Sequence, residues 1–290
     1  MTTDFMSMVD SATVSDRLNN KYMPDIFRTR NITSIKRLLD DAISNDEFTL
    51  VYQPQSDIST HKIVGAEALL RWDSAEFGQI SPVDFISVAE STGFIQDLGS
   101  FVIEKACEQA AYWNEMLLNK VRIAINVSSL QLENDNFLNI IESCLQKYNL
   151  DATLLEIELT ESLMIEDKDR VIRVLHNLNE LGIRTVMDDF GTGYSSLNYL
   201  ASMPLKMLKI DRSFVSMLGK SQANSTITQM IIQMAKKLNM DVLAEGVETE
   251  YQNKILKTYD CDYIQGSLIS MPMSSYDMTQ FMHYNSFLKN

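Results

Sequence analysis

Carboxylate and amide side chains lie at or near the ends of a series of apolar segments. They are Glu67, Asn126, Glu158, Asp188, Asp189, Glu245 and Gln265, and Lys209 occupies an equivalent place. A buried carboxylate costs several kcal/mol unless it pairs with a cation. One lysine cannot neutralise five carboxylates, and oxygen-only ligands favour magnesium, manganese or calcium over zinc. The sequence therefore predicts a site for hard divalent cations.

Each of these residues alone also has an ordinary structural explanation. Glu67 could pair with Arg71, Asp188 could cap the following turn, and Asn126 could be a turn residue at a strand end. Their joint placement at successive strand ends favours the metal site, because the strand ends of a parallel barrel converge on the face where active sites are built.

Residues 188–193, Asp-Asp-Phe-Gly-Thr-Gly, contain fragments of two other motifs. Asp189-Phe190-Gly191 imitates the metal-binding tripeptide of protein kinases, but the chain has no matching glycine-rich loop, HRD-type catalytic loop or APE segment. Gly191-Thr192-Gly193 lacks the GK[ST] ending of a P-loop. Adjacent aspartates can instead serve two metal ions, one aspartate bridging them, which suits an in-line attack on phosphorus.

The spacing of apolar residues predicts strands that alternate with helices. Eight strands are expected, at Phe48–Gln53, Ile63–Arg71, Val121–Asn126, Leu154–Leu159, Arg184–Asp188, Met207–Ile210, Asp241–Ala244 and Asp262–Ile264. Segments of helical period follow at Gly99–Leu117, Phe137–Lys147, Asp169–Leu181, Ser225–Leu238 and Thr249–Leu256, and Gly182 stands at a helix end. The gap Pro54–Lys62 is too short for a crossover helix, so the first two strands should be antiparallel neighbours. We predict an α/β fold, a TIM-like (β/α)8 barrel with an antiparallel first strand.

Residues 33–290 are predicted to form one barrel domain, because no repeat, low-complexity tract or proline-rich linker divides them. Residues 1–32 have weak periodicity and are predicted to be an N-terminal arm or linker, followed by a short amphipathic helix at Ser34–Ala42. Two interpretations of the arm stay open. It could be a flexible tail or linker, or it could be a dimer arm or the stub of a connection to a regulatory domain.

The composition excludes several classes of partner and site. Acidic residues outnumber basic ones by 39 to 25, a net charge of −14, which repels nucleic-acid polymers and anionic membranes but admits a small phosphorylated ligand if cations are bound. The three cysteines are isolated and the three histidines lack metal-binding spacing, so neither a disulfide framework nor a zinc site is expected. The N-terminal residues contain no long apolar run, so we expect no membrane insertion and a cytoplasmic location.

Short motifs follow one another in order from about Ser34 to Pro272. They include Tyr52-Gln53-Pro54, Glu67-Ala68-Leu69-Leu70-Arg71-Trp72, Asn126-Val127-Ser128, Glu158-Leu159-Thr160-Glu161, Asp188 to Leu197, Leu208-Lys209-Ile210-Asp211, Ala244-Glu245-Gly246-Val247-Glu248 and Gln265-Gly266. Together they resemble the EAL family of cyclic di-GMP phosphodiesterases. The resemblance implies a barrel with one antiparallel strand, in agreement with the short first gap.

The resemblance also implies roles for the matched positions. The first metal ion would be bound by Glu67, Asn126, Glu158 and Asp188, and the second by Asp188, Asp189 and Glu245. Lys209 would hold or polarise the attacking water, and the catalytic residues would be Glu67, Lys209 and Glu245. The dinucleotide would be positioned by Gln53, Leu70, Arg71, Asp211, Glu248 and Gln265, with Glu161 anchoring the Asp188 loop.

The activity that the resemblance implies is hydrolysis of cyclic di-GMP to linear pGpG with two Mg²⁺ or Mn²⁺ ions, by a homodimer. Ca²⁺ is expected to bind but to inhibit. Ser267, Ile269 and Met271 depart from the aromatic and basic residues usual there, so weaker guanine or phosphate contacts are expected. The alternative is a catalytically weak or inactive cyclic di-GMP receptor or interaction module; a metallonuclease is disfavoured by the acidic surface.

Overall fold

A computed structural model describes residues 27, 32–117, 120–160, 168–191 and 200–287 of the chain. Glu161, the residues that follow Gly191 in the Asp188 segment, and most of the predicted N-terminal arm lie outside the described residues. The chain divides into two compact units, Met1–Leu50 with Leu70–Val102, and Val51–Leu69 with Ile103–Asn290.

The strands form one mixed sheet. They are β1 (Phe48–Asp57), β2 (Ile63–Ser74), β3 (Gly78–Ile80), β4 (Arg122–Asn126), β5 (Leu155–Thr160), β6 (Arg184–Phe190), β7 (Met207–Ile210), β8 (Asp241–Ala244) and β9 (Tyr263–Gln265). Eight of them close into a barrel in the order β1-β9-β8-β7-β6-β5-β4-β2, with β1 pairing β2 and β3 added beside β2. Strand β1 runs antiparallel to β9, whereas β2 and β4 to β9 pair in parallel. The predicted TIM-like barrel with an antiparallel first strand is confirmed.

Helices occupy most of the connections after the first hairpin. Those within the described ranges are α1 (Ile32–Ser44), α2 (Pro82–Thr92), α3 (Ile95–Met116), α4 (Ser129–Leu132), α5 (Phe137–Lys147), α6 (Lys168–Glu180), α7 (Arg212–Ser216), α8 (Gln222–Lys237), α9 (Glu250–Thr258) and α10 (Ser275–Phe287). Gly182 follows α6 with a φ of 95°, as expected of a glycine at a helix end. None of these helices combines the length and the apolar character needed to cross a membrane.

An aromatic core around Trp72 holds the first unit together. The buried Trp72 ring packs against Phe27, Phe48 and Phe85 at centroid distances of 6.1, 5.1 and 5.8 Å. Its Nε1 donates a hydrogen bond to Glu47 Oε2 at 2.9 Å, so the polar edge of the indole is also satisfied. This core fixes the C-terminal half of β2, in which two of the predicted substrate-binding residues lie.

The barrel interior of the second unit is polar at both ends and apolar between them. Lys209 on β7 contacts Glu158 on β5 and Glu67 on β2, and these strands are not neighbours, so the three side chains meet inside the barrel. Strand alternation puts Glu156 on the same face of β5 as Glu158. The apolar layer consists of Val186, Met207 and Leu243.

The polar layer near the strand starts is an ion-pair network around Glu156. The Glu156 side chain is fully buried, and its Oε1 lies 2.7 Å from Arg122 Nε and 2.8 Å from Arg184 Nε. Arg184 Nη2 donates to Asp241 Oδ2 at 2.7 Å, and the Arg122 guanidinium lies over the Tyr263 ring. The charges of the two arginines therefore balance those of Glu156 and Asp241. In barrels of this type, residues at this face usually contribute to stability rather than to catalysis.

The structure corrects the prediction for the first hairpin. Strand β1 continues to Asp57, beyond its predicted end at Gln53, because Gln55, Ser56 and Asp57 pair with β9. The predicted connection Pro54–Lys62 was therefore too long. Gln55 faces the barrel interior and hydrogen-bonds Gln265, whereas Asp57 Oδ1 accepts the backbone N–H groups of Ser59 and Thr60 in the turn that follows. Because these residues are polar, the segment lacks the apolar alternation by which strands are recognised. Helix α10 was not predicted either, since its apolar residues do not gather on one face.

Glu156→Gln should lower the free energy of unfolding by about 3 kcal/mol, because it leaves Arg122 and Arg184 without their shared buried anion. Urea denaturation followed by circular dichroism measures the change. Lys120→Gln, which removes the partner of Asp151 in an exposed ion pair, is the control and should change stability by less than about 0.5 kcal/mol. Equal losses in the two variants would contradict the stabilising role of the buried network.

Candidate metal centre

The buried Lys209 lies at the centre of a cluster of four carboxylates, of which Glu67, Glu158 and Asp188 are buried and Glu245 is partly buried. Its Nζ is 2.8 Å from Glu158 Oε2, 2.8 Å from Glu245 Oε1, 3.2 Å from Asp188 Oδ1 and 3.6 Å from Glu67 Oε2. Burial alone would lower the pKa of Lys209, but the four carboxylates raise this pKa well above its usual value. Lys209 is therefore a cation wherever the protein is folded at ordinary pH.

Three of these carboxylates carry a charge that the protein neutralises only in part. Burial, together with repulsion from neighbouring carboxylates, raises the pKa values of Glu158, Asp188 and Glu245, although Lys209 acts in the opposite direction. One ammonium group is thus not enough counter-charge for the cluster. Additional positive charge would stabilise the ionised carboxylates.

Glu67 differs from the other three because two amide side chains hold it. Asn126 Nδ2 donates to Glu67 Oε1 at 2.8 Å, and Gln265 Nε2 donates to Glu67 Oε2 at 2.6 Å. Burial raises the pKa of Glu67, but the attraction of Lys209 and these two hydrogen bonds outweigh it, so the pKa lies below its usual value. Glu67 is therefore a carboxylate with a fixed orientation. The amide oxygen of Asn126 is the atom that its predicted role as a metal ligand requires.

Two groups of carboxylates could hold a metal ion, and both include Asp188. One group is Glu67, Glu158 and Asp188, and the other is Asp188, Asp189 and Glu245; within each, one oxygen from each residue lies within 4.8 Å of the others. Donor sets made only of oxygen, with an excess of negative charge, suit a hard divalent cation. The residues therefore fit two neighbouring ions around Asp188, as the family resemblance implies, and the assignment of each ligand stays a prediction.

A break in the alternation of β6 brings two adjacent aspartates to this site. Asp189 has a φ of 53°, in the left-handed region, and the pairing of β6 with β7 shifts its register at this point. The Asp189 backbone N–H donates to Asp188 Oδ1 at 2.9 Å. Adjacent residues of a regular strand face opposite ways, so the irregularity is the reason that both carboxylates approach Glu245. Burial and repulsion from Asp188 and Asp211 raise the pKa of Asp189 to about 6.

Two of the residues predicted to position a substrate lie beside Glu67. Gln53 Oε1 accepts a hydrogen bond from Gln265 Nε2 at 3.1 Å, and Gln53 Nε2 donates to the Ser270 carbonyl at 3.1 Å. Gln265 is almost completely buried, whereas Gln53 is half-buried. The structure brings this pair to the metal centre, and their contact with a substrate stays a prediction.

The other predicted substrate residues lie outside the buried cluster. Asp211 Oδ1 accepts the backbone N–H of the residue two positions later and caps α7, and Glu248 is exposed just before α9. Leu70 and Arg71 belong to the first unit, where Arg71 Nη1 donates to the Leu70 carbonyl at 2.8 Å. The roles of these residues stay predictions, as does that of Glu161, which lies outside the described part of the chain.

No functional role is predicted for Gln55 from the sequence, but the structure connects this residue to the site. Gln55 is 1% exposed, and its Nε2 donates to Gln265 Oε1 at 3.1 Å. The available signal was the alternation along β1, which puts residue 55 on the same face as Gln53. It was missed because β1 was predicted to end at residue 53.

Comparison with known proteins places this site in a family context. The EAL domain model matches residues 36–272. Signaling protein YkoW of Bacillus subtilis is 39% identical over 286 residues, covering 96% of this chain and 36% of the relative. Cyclic di-GMP phosphodiesterase PA2567 of Pseudomonas aeruginosa is 40% identical over 236 residues, covering 81% of this chain and 40% of the relative. The chain thus spans well under half the length of these curated relatives.

A solved structure shares both the fold and a substantial part of the sequence. The PaMucR phosphodiesterase in its c-di-GMP complex superposes with a TM-score of 0.80 at 35% identity, covering 84% of this chain and 99% of that one. The barrel described above therefore has the same fold as that structure.

Lys209→Met should lower the Tm in EDTA, because the four carboxylates lose their central counter-charge, and it should increase the rise in Tm produced by Mn²⁺, because metal ions then supply more of that charge. Differential scanning fluorimetry measures both. The control is Lys236→Met, which breaks an ion pair with Asp262 and should lower the Tm equally with and without Mn²⁺. A Lys209→Met protein that gains no more from Mn²⁺ than the unaltered chain would refute this account of the charge balance.

Proposed function

This chain belongs to the EAL domain family, and from that premise we propose that it is a metal-dependent phosphodiesterase that hydrolyses cyclic di-GMP to linear pGpG. The observation that carries the proposal is the meeting of Lys209 with Glu67, Glu158, Asp188 and Glu245 in one buried site. Two similar proteins support it, since PA2567 is named a cyclic di-GMP phosphodiesterase and PaMucR is a phosphodiesterase in a c-di-GMP complex. Hydrolysis would lower the level of this second messenger.

The proposed reaction adds one water molecule across one of the two phosphodiester bonds. The water oxygen bonds to phosphorus, the bond from phosphorus to one ribose oxygen breaks, and that ribose oxygen takes up a proton. Two Mg²⁺ or Mn²⁺ ions, when bound, would lower the pKa of the water and offset the charge that develops on the phosphoryl oxygens. The proposed ligands are Glu67, Asn126, Glu158 and Asp188 for one ion, and Asp188, Asp189 and Glu245 for the other.

Lys209 is proposed to orient the attacking water. Contacts of 2.8 Å to Glu158 and to Glu245 hold its ammonium group between the two carboxylate groups. An ammonium group can only donate hydrogen bonds. Lys209 would therefore hold an oxygen atom, of the water or of the phosphoryl group, and would not remove the proton. With it, Glu67 and Glu245 complete the proposed catalytic set.

The proposed substrate is a dianion, and the chain has a net charge of −14. Local positive charge must therefore come from Lys209, from Arg71 and from the bound cations. Arg71 is proposed to contact a phosphate, and the remaining proposed substrate residues are Gln53, Leu70, Asp211, Glu248 and Gln265. Weaker guanine or phosphate contacts are proposed at Ser267, Ile269 and Met271.

Three further features belong to the proposal. The chain is proposed to act as a homodimer, and residues 1–32 are proposed to connect it to a regulatory domain or partner; in the curated relatives, the matched region is 36% to 40% of a longer protein. A cytoplasmic location is proposed, because the three cysteines are buried free thiols, as is usual in a reducing compartment. Light scattering of the purified protein tests the dimer.

Incubation of the purified protein with cyclic di-GMP and Mg²⁺ or Mn²⁺ should produce pGpG, resolved by chromatography, and EDTA should stop its formation. Glu67→Gln and Asp188→Asn should each lower the rate by at least about 100-fold, because each replaces a carboxylate with an amide in one of the residue sets that could hold a metal ion. The readout is the initial rate of pGpG release.

The matched control for these variants is Thr185→Val. Thr185 is fully buried in β6, the strand that carries Asp188, and its hydroxyl donates to the Pro204 carbonyl at 3.0 Å, away from the carboxylate cluster. The rate should stay within about twofold. Binding of cyclic di-GMP without pGpG would refute the enzyme function and leave a receptor or interaction module, and cleavage of RNA or DNA instead would indicate a metallonuclease.

Ca²⁺ should bind the site but suppress turnover, because it is larger than Mg²⁺ and less demanding in geometry. We expect Ca²⁺ to raise the Tm in the way that Mg²⁺ does, and to slow pGpG formation when it is added to reactions that contain Mg²⁺. Thermal-shift and product measurements on the same samples test both statements. Turnover with Ca²⁺ equal to that with Mg²⁺ would count against the two-metal mechanism.

A further inference from the structure

Three glutamines form a hydrogen-bonded network inside the barrel, beside the candidate metal ligand Glu67. Gln55 Nε2 donates to Gln265 Oε1 at 3.1 Å. Gln265 Nε2 donates to Glu67 Oε2 at 2.6 Å and to Gln53 Oε1 at 3.1 Å. Gln53 Nε2 donates in turn to the Ser270 carbonyl at 3.1 Å. This glutamine network therefore connects Glu67 to the segment that follows β9.

Gln265 uses its hydrogen-bonding capacity inside the protein. A glutamine amide has two N–H donors and one acceptor oxygen, and Gln265 directs the donors to Glu67 and Gln53 while its oxygen accepts from Gln55. If the amide were rotated by half a turn, its oxygen would face the Glu67 carboxylate at the present 2.6 Å separation. Two buried oxygen atoms at this separation repel each other, so the present orientation of the Gln265 amide is favoured.

We propose that Gln55 is a positioning residue for the metal centre. By donating to Gln265 Oε1, it keeps Gln265 Nε2 directed at Glu67, and so it fixes the carboxylate of Glu67 for a divalent cation. Gln265 then also acts on Glu67, in addition to its proposed contact with the dinucleotide. The inference rests on the proposed function, because that function makes Glu67 a metal ligand, but its test requires no cleavage of cyclic di-GMP.

The backbone opposite Gln55 is shaped to admit this amide. Gly65 lies in β2, on the same face as Glu67 two residues later. A Cβ atom at Gly65 would lie 2.7 Å from Gln55 Oε1, closer than a carbon and an oxygen pack without bonding. A glycine at this position thus leaves the space that the Gln55 side chain occupies.

The polarity of residue 55 follows from the same requirement. Gln55 is 1% exposed and Gln265 is 3% exposed, so solvent cannot readily replace a missing partner. An apolar side chain at position 55 would leave the Gln265 oxygen buried without its donor. No hydrogen bond to that oxygen would then hold the Gln265 amide in its present orientation.

The test measures Mn²⁺ affinity by titration calorimetry in the unaltered chain, Gln55→Leu, Gln265→Leu and the double variant. Gln55→Leu should weaken Mn²⁺ binding about tenfold, the usual scale for a group that orients a ligand. Gln265→Leu should weaken it at least as much. The double variant should bind no more weakly than Gln265→Leu, because Gln55 acts through Gln265. Gly65→Ala, which crowds the Gln55 amide without removing it, should cause a smaller loss in the same direction.

Thr185→Val is the control for a purely structural effect, and it should lower the Tm of the metal-free protein without changing Mn²⁺ affinity. Additive losses in the double variant would overturn the proposal. So would a Gln265→Leu protein that binds Mn²⁺ normally but loses affinity for cyclic di-GMP in the presence of Ca²⁺. If Gln55→Leu does not fold, Gly65→Ala replaces it. The Mn²⁺ affinities of Gly65→Ala and of the Gly65→Ala/Gln265→Leu double variant are then compared in the same way. Normal Mn²⁺ binding without pGpG formation would refute the proposed function and leave this inference standing.

Discussion

The contact of one buried lysine with three buried carboxylates and one partly buried carboxylate is the interaction on which the rest of this structure depends. Glu67, Glu158, Asp188, Lys209 and Glu245 come from five different parts of the chain, and only a closed barrel brings the ends of their strands together. Such a cluster is costly, because each carboxylate loses water and repels its neighbours. The fold must therefore supply enough stability elsewhere to tolerate a site whose charges it does not balance by itself.

The opposite end of the barrel shows how the same fold neutralises buried charge when no ligand is needed. Glu156 lies two residues before Glu158 on the same face of β5, yet it contacts two guanidinium groups, those of Arg122 and Arg184. That layer is balanced by protein groups alone. Among the described residues of the barrel interior, the excess negative charge lies in the layer where the strands end. This separation puts the balanced ion-pair network at one end of the barrel and the candidate cation site at the other.

The parts of the fold and site that could be predicted are those that depend on local sequence patterns. The strands were recognisable from their apolar residues, and the carboxylates from their positions at strand ends. The left-handed backbone of Asp189 could not be foreseen, because a positive φ at a residue other than glycine depends on the packing around it. Gln55 was missed because its strand is polar on the inner face, and its partner Gln265 is a neighbour only through the pairing of β1 with β9.

The choice of neutral amides around Glu67 follows from the demands of cation binding. Asn126 and Gln265 each donate one hydrogen bond to its carboxylate and add no charge. An arginine or lysine in either place would orient Glu67 equally well, but it would also neutralise the carboxylate and repel a metal ion. Amides orient the Glu67 carboxylate without neutralising it. Among the described residues of the cluster, Lys209 is the one that carries a full positive charge. On this reasoning, the network that reaches Gln55 preserves the negative charge of Glu67 for a cation while fixing its direction.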